Sequence, residues 1–287
     1  SALLMALAVT TACQENPYGP TGHVPEVNKP EEIVKGSYAE GADISWVTEM
    51  ENDGVKFYNA SGAETECTAL MKEIGFDAIR LRVWVDPENG WCGKEDVIVK
   101  AKRAQALGMR LMIDFHYSDT WADPGNQTPP AAWKDYDADK MAKAVGSHTK
   151  EVLSLLSENG IDVHWVQVGN EVNQGMLHPL GIVKDQSAGN FPYFFNTGYD
   201  AVKSVYPDAK VILHLSNGQD AGLFRWFLSL MKSNDLKYDM IGMSLYPSWW
   251  ENGGWTTGWK SIMDSCLANM KSLIATYDKP VMICETG

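Results

Sequence analysis

The sequence predicts an α/β barrel of parallel strands, and three observations carry that reading. Strand-like and helix-like segments alternate from Gly36 to the last residue. Helices repeatedly close on a glycine, with a strand beginning within a few residues. Polar residues also gather at the carboxyl ends of nearly all strands: Asp43, Arg80 and Arg82, Asp114 and His116, Asn170 and Glu171, His214 and Asn217, Tyr246, and Glu285. Alternation of this kind implies parallel strands with helices outside. The competing arrangement, an open doubly wound sheet, concentrates its ligand residues at one switch point, with a glycine-rich phosphate loop after an early strand. No such loop follows an early strand here. A barrel collects its site from every strand, so the expected fold is a TIM (β/α)8 barrel, truncated after the seventh strand.

The elements follow in order. Ala42 to Ser45 is a first short strand, and Glu64 to Ile74 is a helix stopped by Gly75. Phe76 to Val85 alternates strictly, with Ile79, Leu81 and Val83 on one face and Arg80, Arg82 and Trp84 on the other. Lys94 to Leu107 is a helix closed by Gly108, and Arg110 to His116 is the third strand, with Asp114 and His116 sharing a face. Asp137 opens a helix in which Met141, Val145, His148, Val152 and Leu155 recur at helical spacing until Asn159-Gly160. The fourth strand, Val163 to Val168, runs into Gly169-Asn170-Glu171. A helix from Phe194 to Val205 stops before Pro207, and Lys210 to Leu215 is the fifth strand. Ala221 to Lys232 is helical, and Met240 to Tyr246 is the sixth strand. Ile262 to Tyr277 gives a sixth helix, and Val281 to Cys284 is the seventh strand, ending in Glu285.

Composition narrows the function. The chain has 287 residues, 45% hydrophobic and 21% charged, enough for a large core. A net charge of −13 argues against nucleic acid, whose phosphates demand a basic surface. Eleven tryptophans are many, and Trp84, Trp91, Trp121, Trp133, Trp249, Trp250, Trp255 and Trp259 fall mostly in segments that read as loops. Loop tryptophans suit stacking on sugar faces; for Trp84, Trp249 and Trp250 core packing is the competing reading. Residues 1–13 read as a signal segment without an initiator Met, its apolar core running from Ala2 to Val9. Thr11-Ala12-Cys13 resembles a bacterial lipobox, with Cys13 as the lipid attachment point; an ordinary signal peptide with a chance cysteine is the alternative. Residues 14–36, rich in Pro, Gly, Asn and Glu, read as a tether, and 37–287 as the barrel. The expected location is outside the cytoplasm, as a cell-surface or periplasm-facing lipoprotein or a secreted protein. Cys67, Cys92, Cys266 and Cys284 lack metal-ligand spacing and name no disulfide pair. With no eighth strand, the chain reads as a fragment whose first and seventh strands expose unpaired edges, and low stability is expected.

The chemistry rests on two carboxylates. A glutamate at a strand end is ordinarily a helix cap or a surface ion pair. Two of them, Glu171 and Glu285, end apolar strands far apart in sequence, which suits the paired carboxylates of glycoside hydrolysis. In the retaining form one carboxylic acid protonates the leaving oxygen and the other carboxylate attacks, at about 5–5.5 Å separation. Glu171 beside Asn170 suits the acid/base; Glu285 suits the nucleophile, with Arg80 and the Tyr246 hydroxyl in reach to hold it ionised. Two inward arginines, Arg80 and Arg82, need carboxylate partners. Asp119 and Asp123 either meet substrate or shape their loop with Pro124-Gly125.

Several runs carry a closer resemblance. They are Gly41-Ala42-Asp43-Ile44-Ser45, Arg80-Leu81-Arg82-Val83-Trp84, Asp114 through Gly125 (DFHYSDTWADPG), Gln167-Val168-Gly169-Asn170-Glu171, Ser244-Leu245-Tyr246-Pro247 and Glu285-Thr286-Gly287. With these the chain resembles clan A of the glycoside hydrolases and, more narrowly, family 53, the endo-β-1,4-galactanases. The resemblance implies a β-1,4-galactan substrate from pectic side chains (type I arabinogalactan), Glu171 as acid/base and Glu285 as nucleophile. Asp43, Arg80, Arg82, Trp84, Asp114, His116, Asp119, Trp121, Asn170, His214, Asn217, Tyr246 and Trp249 are expected to bind substrate or support the pair. The mechanism requires no cofactor; the calcium loop of some bacterial relatives belongs to the region beyond Glu285. A monomer acting on polysaccharide is expected. The alternatives are another clan A endo-glycanase, acting on mannan, xylan or cellulose, or a non-catalytic surface glycan-binding lipoprotein.

Overall fold

The computed structural model describes residues 38–248 and 258–287. Seven parallel strands form one sheet in sequence order: β1 (Gly41–Asp43), β2 (Ala78–Val83), β3 (Arg110–Phe115), β4 (Trp165–Val168), β5 (Lys210–Leu215), β6 (Met240–Leu245) and β7 (Val281–Thr286). The helices are α1 (Val47–Asn52), α2 (Cys67–Glu73), α3 (Lys94–Ala106), α4 (Ala138–Glu158), α5 (Phe191–Val205), α6 (Ala221–Lys232) and α7 (Trp259–Tyr277). Uniform parallel pairing with a helix in every crossover is the (β/α) barrel pattern, here with seven strands described. Among the described residues β1 and β7 are the two ends of the sheet.

The local reasons match the sequence. Gly75, Gly108 and Gly160 all sit at positive φ just past a helix, where a Cβ would be strained. Asp137 caps α4, its carboxylate accepting the Lys140 amide. Helix α2 begins three residues later than its periodicity implies, because the Glu66 carboxylate accepts the amides of Thr68 and Ala69. Helix α5 begins three residues earlier, with a proline in its first turn. The short α1 has no signature in sequence: Val47 is its one buried residue.

Side chains alternate across the sheet. Ile79, Leu81 and Val83 of β2, with their equivalents on other strands, pack against the helices in the main core. The opposite faces make a second core: Ala78, Met112, Trp165, Ile212 and Met240, with Met282 and Cys284 against them. That apolar floor lies under a polar layer from the same inward positions farther along each strand: Arg80, Asp114, Gln167 and His214, all buried.

One irregularity aims the end of β7. Gly242 pairs with Met282, so strict alternation would set Cys284 opposite Ser244. The register instead shifts between Met243 and Ser244, and Ser244 pairs with Glu285. This bulge gives Glu285 an inward position that period two would assign to its neighbour. Gly242 leaves the room: a Cβ there would come within 2.7 Å of the Cys284 sulfur.

Cys67, Cys92 and Cys266 are buried free thiols, and Cys284 is a half-buried one. Trp133, expected in a loop and a candidate for sugar stacking, lies in a short 3-10 turn and is buried against the His148 ring. It belongs to the main hydrophobic core and is 7% exposed, which leaves no face for a sugar. Residues 1–37, with the signal segment, Cys13 and the tether, lie outside the described residues, as do Trp249, Trp250 and Trp255.

Candidate active site

Arg80 is the hub of the barrel mouth. Its guanidinium donates to five oxygens from four other strands or their ends. Nη1 reaches Asp43 Oδ2 at 2.8 Å, and Nε reaches Gln167 Oε1 at 2.7 Å. Nη2 lies 2.8 Å from Asp114 Oδ2, 3.0 Å from Asn170 Oδ1 and 2.7 Å from Glu285 Oε1. A buried cation is tolerated only when paired and hydrogen-bonded, and three carboxylates meet that requirement. Burial works against the charge on Arg80, but the carboxylates outweigh it and push the pKa well up. For Asp114 burial would raise the pKa, yet Arg80 and then His116 hold it at about 2.

The two glutamates are pushed apart. Glu285 accepts from Arg80 and, at 2.9 Å on Oε2, from the Tyr246 hydroxyl. Burial favours its neutral form, but Arg80 beside it wins and keeps its pKa below the usual carboxylate range. Tyr246 remains a phenol, its pKa raised by burial and by the adjacent Glu285 charge. Among the described residues Glu171 has no cation within salt-bridge distance. Burial, then the charge of Glu285, raises its pKa to about 7, against the opposing hydrogen bond from Ser244. The backbone that presents Glu171 is unusual: φ is 47° there and 89° at Gly169. A Cβ at Gly169 would lie 2.7 Å from a Val172 methyl. A non-glycine residue in the left-handed region is strained, and such residues cluster at functional sites.

The remaining expected residues fall into distinct places. Asp43, Asp114 and Asn170 join the Arg80 cluster; the Asn170 amide also donates to the Ala122 carbonyl at 2.8 Å. His116 has both ring nitrogens occupied: Nε2 faces Asp114 at 3.0 Å and Nδ1 accepts the Ala122 amide at 2.9 Å. It positions the loop after β3 rather than standing free for a sugar. Asp119 accepts the amides of Asp86 and Ala131, and Asp123 those of Gly125 and Asn126, so both shape that loop. Asn217 turns the chain at positive φ after β5.

Arg82 departs from expectation. Among the described residues it pairs with no carboxylate. Its guanidinium lies over three rings, 4.8 Å from the centroids of Trp46 and Trp84 and 4.0 Å from Trp121. The quadrupole of an aromatic face supplies negative potential, and three faces replace the acid that a buried arginine otherwise needs. Trp84 is buried, whereas Trp46 and Trp121 stay 40% and 44% exposed, which leaves two indoles open at the mouth.

Sequence reasoning missed Gln167, Ser244 and Trp46. Gln167 and Ser244 were legible by period two, lying two residues from the inward Trp165 and Tyr246 respectively. Trp46 carried no such signal. Among the described residues no group of three or more His, Cys, Asp or Glu is placed to hold a metal ion.

The comparisons agree with one another. The family model described as glycosyl hydrolase family 53 matches residues 39–287. "Probable arabinogalactan endo-beta-1,4-galactanase A" of Neosartorya fischeri is 34% identical over 253 residues, covering 86% of this chain and 68% of its own length. "Endo-beta-1,4-galactanase" of Bacillus subtilis is 31% identical over 300 residues, covering 98% and 66%. The chain thus spans about two thirds of the length of the curated relatives it matches. Among solved structures, a fungal β-1,4-galactanase superposes with a TM-score of 0.78 at 32% identity, covering 86% of this chain and 73% of that one. The family 53 catalytic domain of Ignisphaera aggregans gives 0.76 at 33%, covering 86% and 68%. With a family match across the whole described barrel and relatives above 30% identity, the chain belongs to glycosyl hydrolase family 53.

Proposed function

We propose that this protein is an endo-β-1,4-galactanase that hydrolyses the β-1,4-galactan of type I arabinogalactan with retention of anomeric configuration. One observation carries the reading: two carboxylates in one barrel mouth have opposite protonation tendencies, Glu285 ionised against Arg80 and Glu171 holding its proton to about neutral pH. Pairs pushed apart in this way mark acid and nucleophile assignments. Glu285 attacks the anomeric carbon while Glu171 protonates the departing glycosidic oxygen. Glu171, now ionised, then takes a proton from water, which displaces Glu285 from the covalent glycosyl-enzyme. Tyr246 and Arg80 hold the Glu285 oxygens, and no cofactor enters the scheme. Trp46 and Trp121 offer their exposed faces to sugar rings.

The substrate rests on the named relatives, so the test is a panel of galactan, mannan, xylan and cellulose. Galactan is the expected substrate; faster cleavage of any of the others removes the substrate assignment. The location is proposed from residues 1–13: export, with Cys13 carrying a lipid anchor. Mass spectrometry of the mature amino terminus from a native host tests it, and an unlipidated terminus rejects the anchor.

A further inference from the structure

A chain of hydrogen bonds links Arg80 to Glu171. Arg80 Nε donates to Gln167 Oε1 at 2.7 Å, and Gln167 Nε2 lies 2.7 Å from His214 Nδ1. His214 Nε2 lies 2.9 Å from Ser244 Oγ, which donates to Glu171 Oε1 at 2.6 Å. Gln167, His214 and Ser244 are at most 1% exposed, so water does not interrupt the series.

The direction of the chain follows from its source. Guanidinium has donors and no acceptor. Gln167 must therefore turn its oxygen to Arg80 and its NH2 to His214. Turned the other way, two donors would face each other at 2.7 Å. His214 Nδ1 is then an acceptor, and it lies 3.3 Å from the Glu171 amide nitrogen as well. The Asn170 Oδ1 near that nitrogen takes its hydrogen from Arg80 Nη2 instead. With Nδ1 accepting, the hydrogen of the neutral ring sits on Nε2. It donates to Ser244 Oγ, whose own hydrogen must go to Glu171.

We propose that Gln167, His214 and Ser244 form a one-way relay of positioning residues that commits Glu171 Oε1 as an acceptor, so that the acid proton resides on Oε2. The inference rests on Glu171 being the acid/base. An acid whose proton moved between both oxygens would spend part of its time with the proton on the oxygen turned toward Ser244. The relay removes that state and, because it begins at Arg80, makes one cation serve both glutamates. It holds Glu285 ionised by direct contact and orients Glu171 through three neutral residues. Burial keeps His214 neutral down to about pH 4, so the relay persists above that pH.

Two measurements test it without relying on turnover. Nitrogen NMR of 15N-histidine-labelled protein, with the His214 signal assigned through His214→Gln, is expected to show the Nε2–H tautomer unchanged from about pH 5 to 8. An Nδ1–H tautomer, or titration of the ring near the ordinary histidine value, overturns the relay. Carbon NMR of the Glu171 carboxyl is expected to show its titration moving up by about one pH unit in Ser244→Ala, the loss of one hydrogen bond to a charged group. An unmoved titration in folded Ser244→Ala also overturns it. His214→Gln retains a donor toward Ser244 and is expected to keep the wild-type midpoint; His214→Leu is expected to shift it as Ser244→Ala does. A wild-type midpoint in folded His214→Leu rejects the relay. Failure to cleave galactan with the tautomer and shifts as expected sinks the proposed function and leaves the relay standing.

Discussion

Arg80 of β2 and Glu285 of β7 lie 205 residues apart, and the Nη2–Oε1 distance is 2.7 Å. In the strand order four strands separate them, so the contact exists because the sheet curls and brings its two ends together at the carboxyl rim. The same guanidinium holds Asp43 on β1 and Asp114 on β3. The rim is thus tied by charge where the described backbone ladder does not close.

Replacing Arg80 by Ala leaves Asp114 fully buried without its cation, and among the described residues leaves Glu285 with only the Tyr246 hydrogen bond. Breaking a buried ion pair from one side typically costs about 3–5 kcal/mol. The expected result is a melting temperature lowered by several degrees and activity reduced at least ~100-fold. Calorimetry showing an unchanged melting point would mean that the cluster is not held as described.

In the proposed mechanism activity requires Glu285 ionised and Glu171 protonated. The acid limb of kcat/KM is therefore expected below the usual carboxylate range, and the basic limb near 7. Stability should show the same group with the sign of a raised acid. Between about 4.5 and about 7 the folded state keeps a Glu171 proton that the unfolded chain has released. Native protein then binds more protons, and stability falls as pH rises through that window. Glu171→Gln lacks the loss, so its melting point should gain on wild type from pH 4.5 to 7. A difference independent of pH would refute the raised value.

Glu285→Ala is expected to abolish turnover, with azide restoring part of it and giving a product of inverted configuration, since a small anion fills the vacated nucleophile position. Proton NMR of the first-formed product decides the matter. Release of an inverted anomer by the unmodified enzyme would exclude double displacement.

Glu171→Ala should lose most activity on galactan and little of the first step on aryl glycosides with good leaving groups, which need no proton. Equal losses on both, measured as the burst on the aryl substrate and as steady-state galactan cleavage, would remove its role as acid.

The alternation of strands and helices, the glycine stops and the two strand-end glutamates were legible in the sequence because each depends on local backbone chemistry: period, caps and left-handed φ. So was the polar rim that favoured a barrel over an open sheet. Tertiary structure alone decided which neighbour each inward side chain found. Arg82 read as a cation seeking a carboxylate, yet three tryptophans from three separate segments surround it. Strict alternation along β7 would set Cys284 opposite Ser244, and only the bulge against β6 puts Glu285 there. Helix α1 lacks an amphipathic stripe, and its placement was not legible in sequence. The opposite protonation tendencies of Glu171 and Glu285 follow from Arg80 touching one and not the other. That distance is set by the curl of seven strands, and no stretch of sequence encodes it locally.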